Sequence, residues 1–137
     1  MNPRKLTIFS DGASQGNPGR AAIGAVLRDE KGKVVATISE FIGQATNNQA
    51  EYRAIIAALE AAVSLGAEAV EVKADSELVV EQLNGRYKVK KASLRPLYQE
   101  IVRLTGALQS FSISHIPREQ NREADRLANK ALASKGD

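Results

Sequence analysis

Phe9-Ser10-Asp11-Gly12-Ala13-Ser14-Gln15-Gly16-Asn17-Pro18-Gly19 is the stretch whose reading decides the fold. Lys5 to Asp11 reads as a strand, and Gly12 to Gly19 as the glycine-rich turn that ends it. Working outward, Ala21 to Arg28 and Lys33 to Ile42 are extended runs joined by Asp29-Glu30-Lys31-Gly32, a hairpin turn that makes them antiparallel neighbours. Thr46-Asn47-Asn48-Gln49 is a helix-start signal of capping-box type. The helix it opens runs to about Leu65, is apolar around much of its circumference and stops at Gly66.

Ala69 to Ala74 is a fourth strand, ending at Asp75. A short helix from Ser76 to Leu83, a basic segment and a helix from about Ser93 to Leu108 follow. Phe111 to Ile116 is a fifth strand, and a helix over Asn121 to Ala133 closes the chain, with Ala124, Leu127, Ala128, Ala131 and Leu132 on one face. Three strands followed by alternating helix and strand predict an α/β fold with one mixed sheet and helices packed on it. No linker or repeat divides the 137 residues, so one domain over 1–137 is expected.

Composition narrows the function. The chain has no cysteine, which excludes disulfides and thiolate metal sites. A net charge of +3 suits a polyanionic partner without requiring one. Met1-Asn2-Pro3-Arg4-Lys5 leads into the first strand with no apolar leader, and no apolar run approaches a membrane span. A cytoplasmic location, no membrane association and a monomer are the expectations.

Four carboxylates stand where strands end or helices begin: Asp11, Glu51, Asp75 and Asp125. Singly, each has an ordinary explanation as a turn, a cap or a first-turn charge facing the helix dipole. Jointly they do not. If the strands ending at Asp11 and Asp75 are adjacent and parallel, their carboxylates emerge side by side at the carboxyl edge of the sheet, where open α/β sheets bind ligands. Like charges at that distance repel unless a cation joins them. Oxygen-only donors from four elements suit hard divalent cations and metal-assisted phosphodiester chemistry. Gly16-Asn17-Pro18-Gly19 lacks the Gly-Lys-Ser/Thr ending of a P-loop, so ATP or GTP binding is not expected.

Asp11-Gly-x-x-x-Gly-Asn-Pro-Gly19, Thr46-Asn-Asn-x-x-Glu51, Ala74-Asp-Ser76 and Asn121-x-x-Ala-Asp125, in this order across nearly the whole chain, resemble ribonuclease H of type 1. The resemblance implies a ribonuclease H-like, five-stranded mixed sheet whose first three strands are antiparallel, flanked by helices. It also implies an endoribonuclease that hydrolyses the RNA strand of an RNA/DNA hybrid to 5′-phosphomonoesters. Asp11, Glu51, Asp75 and Asp125 would be the catalytic and metal-binding residues for two Mg²⁺ ions, with Mn²⁺ as a possible substitute. One ion would activate water and the other would stabilise the leaving 3′ oxygen. The alternative is a catalytically inactive nucleic-acid-binding module of the same fold.

A hybrid is distinguished by its 2′-hydroxyls, reached through a wide, shallow minor groove. Asn17, Asn47, Asn48 and Gln49 carry amides suited to that groove, where the resemblance places Asn17 and Asn47, although Asn48 and Gln49 serve cap chemistry equally well. The backbone amides of Gly12 to Ser14 are expected on the RNA backbone, and the resemblance turns Ser14 toward the substrate. Many family members carry a basic protrusion rich in Trp. Here only Arg86 to Ala92 spans that place, and the chain has no Trp. Arg86, Lys88 and Lys90, clustered with Lys91, Arg95 and Tyr87, are expected to grip DNA-strand phosphates. The family often places a histidine in a loop before the last helix. The one histidine, His115, falls within the fifth strand pattern and reads as structural, which leaves Arg118 as the substitute for phosphate or product handling.

Overall fold

The computed structural model describes residues 4–134. The opening Met1-Asn2-Pro3 and residues 135–137 lie outside them. Five strands, β1 (Lys5–Ser14), β2 (Gly19–Arg28), β3 (Val34–Ala45), β4 (Ala69–Ala74) and β5 (Ser110–His115), form one sheet in the order β3-β2-β1-β4-β5. β1 pairs antiparallel with β2 and β2 with β3, whereas β4 runs parallel to both β1 and β5. Four helices accompany it: α1 (Asn47–Ser64), α2 (Glu77–Leu83), α3 (Arg95–Thr105) and α4 (Arg122–Ser134). The expected mixed sheet, with its first three strands antiparallel, is the one found.

Strand alternation explains the layering. Leu6 and Ile8 of β1, Val70 and Val72 of β4 and Ile113 of β5 join Tyr52, Ile55 and Leu59 of α1 and Ile101 and Leu104 of α3 in one core. On the opposite face Ala22 of β2 packs with Ala131 and Leu132 of α4, beside Ala13 and Phe41. At the start of α1, Thr46 accepts from the Gln49 N–H and Gln49 returns the bond to the Thr46 N–H, so the anticipated capping box is present.

Two boundaries differ from the reading of the sequence in a way that matters. β1 does not end at Asp11; it continues to Ser14, paired with β2 as Asp11↔Gly24, Gly12↔Ile23, Ala13↔Ala22 and Ser14↔Ala21. The turn shrinks to residues 15–18, closed by the Gln15 N–H on the Arg20 carbonyl. Gly12 is therefore not a turn residue. A Cβ at Gly12 would stand 2.4 Å from the Ala50 carbonyl carbon and 2.5 Å from the Glu51 nitrogen, so its bareness admits the backbone of α1. Gly24 does the same for α4, because a Cβ there would lie 2.2 Å from the Ala124 oxygen and 2.6 Å from the Ala128 nitrogen. The long basic-side helix is also shorter than expected: Leu94 is its N-cap and it ends at Thr105, with Leu108 in the turn beyond.

A buried chain of hydrogen bonds links α1 to α2 and the segment after it. The Tyr52 hydroxyl donates to Gln82 Oε1 at 2.7 Å, and Gln82 Nε2 donates to the Lys88 carbonyl at 3.3 Å. Burial pushes the Tyr52 phenol up to about 12, so it remains a donor at neutral pH.

Gly24→Ala is expected to lower the unfolding free energy by at least about 1–3 kcal/mol through overpacking against the α4 backbone. The urea midpoint should fall at constant m-value.

Candidate active site

Register places the first two acids. The parallel β1–β4 ladder ends at Ser10↔Ala74, so Asp11 and Asp75 follow at neighbouring points where β4 stops. Ser76 caps α2 by accepting from the Val79 N–H and turns the chain away directly after Asp75. Glu51, on the first turns of α1, comes beside them because Gly12 lets that helix in, and the Gly12 N–H donates to Glu51 Oε1 at 3.1 Å. Carboxylate oxygens of Asp11, Glu51 and Asp75 all lie within 4.8 Å of one another.

Burial makes this costly. Asp11 is 4% and Glu51 6% exposed, and Asp75 is half-buried. Desolvation pushes the Asp11 carboxyl well above the ordinary carboxylate range, reinforced by hydrogen bonding and charge from Glu51, by the charge of Asp75 and by Asp125. Glu51 is raised too, chiefly by burial, while its bonds with Asp11 and Gly12 and the charge of Arg118 oppose the shift.

The fourth acid meets the group from one side only, through Asp11. Asp125 is outside the three-carboxylate group; it sits in the first turn of α4, where Asn129 Nδ2 donates to its Oδ1 at 3.1 Å. Arg118 lies 4.0 Å from the same oxygen, on a 3-10 turn spanning Arg118–Gln120, and is largely exposed. The expected four-acid cage is thus a tight cluster of three with Asp125 at its rim, beside Asp11. His115 ends β5 and is exposed.

One residue was missed by sequence reasoning as a site residue, although it opens the Asn121-x-x-Ala-Asp125 pattern. Asn121 is 1% exposed and donates through Nδ2 to the Ser10 carbonyl at 2.9 Å and to Asp75 Oδ2 at 3.1 Å. It fastens the start of α4 to β1 and aims the Asp75 carboxylate. The sequence places it as the first residue of the last helix, and nothing local marks the longer reach.

The amides divide between scaffold and surface. Asn17 Oδ1 accepts from the Asn47 N–H at 3.1 Å, joining the loop to the start of α1, and both residues are exposed. Ser14 Oγ donates to the carbonyls of Ala45 and Gly16 and is half-buried. Gln49 is spent on the capping box. Asn48 instead lines a groove of about 660 Å³ with Leu78, Gln82, Tyr87, Lys88 and Lys90. Arg86 edges this groove, but its guanidinium is doubly bonded to Glu81 at 2.6 and 2.7 Å. Arg95 is also committed, donating to the Val89 and Lys90 carbonyls.

The donor set fits a hard divalent cation. It is all oxygen, it gathers negative charge where burial opposes it, and Glu51 Oε2 is buried without a hydrogen-bond partner among the described residues.

A mixed sheet with carboxylates collected where its parallel β1–β4 ladder stops defines a ribonuclease H-like α/β protein. The family described as Reverse transcriptase-like matches residues 9–131. Ribonuclease HI of Halobacterium salinarum is 48% identical over 128 residues, covering 93% of this chain and 64% of that protein. Ribonuclease H of Chlorobaculum parvum is 34% identical, covering 94% of this chain and 96% of the relative. LC11-RNase H1, solved in complex with RNA/DNA hybrid, superimposes with a TM-score of 0.91 at 40% identity, covering 96% of this chain and 99% of that one. The chain belongs to the type 1 ribonuclease H family. It spans less than two thirds of the length of the Halobacterium relative.

Because the Asp11 pKa is raised in the folded state, the folded protein holds more protons than the unfolded one above the ordinary carboxylate range, and stability falls as pH rises through it. Asp11→Asn is therefore expected to raise the melting temperature in EDTA at pH 8, with the gain shrinking toward pH 4; calorimetry across pH checks this. Asn121→Ala should cost about 1–3 kcal/mol of stability, from the lost bonds and the stranded Ser10 carbonyl, measured by urea unfolding.

Proposed function

We propose that this chain is a metal-dependent endoribonuclease that hydrolyses the RNA strand of RNA/DNA hybrids. The observation that carries the reading is the convergence of Asp11, Glu51 and Asp75 within 4.8 Å from three separate elements. Membership of a family in which LC11-RNase H1 is solved with RNA/DNA hybrid supports the substrate class.

Asp11, Glu51 and Asp75 are the residues that would hold Mg²⁺, or Mn²⁺ in its place, with Asp125 closing the rim; these four are the proposed catalytic residues. A pair of such cations would supply Lewis acidity for water attack on the scissile phosphorus and for the charge on the leaving 3′ oxygen, and the products would be 5′-phosphomonoesters. The protein's own groups set the geometry. The Gly12 N–H orients Glu51, and Asn121 orients Asp75. Arg118 brings a mobile-length cation to the open side of the acids, suited to the phosphate of the cut strand.

Substrate contact is assigned to the surface flanking the cluster. Gly12, Ser14 and Asn47 line a cavity of about 360 Å³ together with Arg118 and Asp125, and Asn17 lies against Asn47. Asn48, Lys88 and Lys90 line the groove on the other side of α1, where the DNA strand would lie. Arg86 joins them only by loosening from Glu81, and Gln49 contributes through the cap that fixes Asn47 and Asn48. One domain over 1–137, working as a monomer in the cytoplasm, completes the proposal.

The test is cleavage of one labelled duplex as RNA/DNA, RNA/RNA and DNA/DNA, with Mg²⁺, Mn²⁺ or EDTA, beside Asp75→Asn. The expected outcome is metal-dependent cutting of the hybrid's RNA strand to 5′-phosphorylated products, with near-complete loss in Asp75→Asn. Hybrid binding with no cutting under either metal would instead make the chain a binding module.

A further inference from the structure

The cations that line the groove sit on a segment with no regular structure, residues 86–92, yet that segment is held at three points. At its start Arg86 pairs with Glu81, and the Arg86 and Tyr87 N–H groups donate to the Glu81 carbonyl. Toward its end Arg95 donates to the Val89 and Lys90 carbonyls. Between these, Gln82 bonds to the segment from the interior, through the Lys88 carbonyl. Gln82 is 5% exposed, and its other end accepts from Tyr52, which is fully buried.

Tyr52 follows Glu51 directly on α1, and Asn48 precedes it by four residues on the same helix. The bonds Tyr52–Gln82–Lys88 therefore run from the helix that carries a site acid to the middle of the cationic segment. A buried amide left without its partners is costly, so a glutamine here needs both of them. A core whose only task was stability would be served by an apolar side chain of similar volume.

We propose that Gln82, anchored by Tyr52, is a positioning residue that sets Lys88 and its neighbours at a defined distance from Glu51, and so sets how tightly the hybrid's second strand is gripped. This rests on the reading of the groove as part of a ribonuclease H substrate surface. Neither side chain touches the reacting atoms. Their loss acts on substrate affinity, not on the chemical step.

Tyr52→Phe removes only the hydroxyl, and Gln82→Met keeps the volume while removing both bonds. Leu108→Ala, beyond the end of α3, serves as a variant destabilised elsewhere. All are assayed on the full chain, well below their melting temperatures, for hybrid cleavage and for hydrogen exchange of the peptide covering 86–92. Both relay variants should raise KM about five-fold, the factor one net hydrogen bond represents, with kcat within about two-fold of wild type. Exchange across 86–92 should quicken in them alone. Unchanged KM and exchange, or an equal rise in KM in Leu108→Ala, would overturn the proposal. Should the wild type bind but not cut the hybrid, the enzymatic reading falls; the relay is then judged by exchange and by hybrid Kd in EDTA, where the same five-fold weakening supports it and no change refutes it.

Discussion

Two helices in this protein approach the sheet backbone to backbone, and the rest of the site depends on that closeness. α1 crosses β1 where Gly12 leaves room for the Ala50–Glu51 peptide, and α4 crosses β2 where Gly24 leaves room for Ala124 and Ala128. A methyl group at either position would force the helix outward by a substantial part of its contact distance. Glu51 would then leave Asp11 and Asp75, or Asp125 would leave the rim. Interiors are packed too densely to absorb such a change locally.

The same closeness explains why the site is electrostatically strained. Helix and sheet backbones bury Asp11 and Glu51 almost fully, so the carboxylates repel one another in surroundings that screen them poorly. The Gly12 N–H, the Asn121 amide and the more distant Arg118 relieve part of this. What they leave is an oxygen-lined cluster whose remaining demand is for positive charge. Stability and function are opposed at these residues, which is common at preorganised sites.

The periphery follows a different logic. Around the acids, the amides of Asn17 and Gln49 and the Ser14 hydroxyl are mainly occupied in holding turns and caps. On the other side of α1 the cations stand on an irregular segment, fastened by Glu81, Gln82 and Arg95. Arg86 and Arg95, alike as charges in the sequence, are used largely as struts, while Lys88 and Lys90 face the groove. An arginine's forked donors suit carbonyl and carboxylate partners, whereas a lysine more readily keeps its charge in water.

Much was legible from the chain alone because it was written in local terms. Alternation identified β4 to the residue, Thr46 and Gln49 announced the capping box, and the hairpin after Arg28 told which strands were antiparallel. The four acids stood out through their places at element ends, and the motifs around them carried the family. Tertiary structure decided the rest. Gly12 reads locally as a turn, since bareness has the same appearance whether it serves a positive φ or a neighbour's approach; only the packing of α1 distinguishes them. Asn121's grip on Asp75, 46 residues away, has no local signature. Nor could spacing reveal that three acids close upon one point while Asp125 remains at its edge, because that depends on how two helices settle on opposite faces of one sheet.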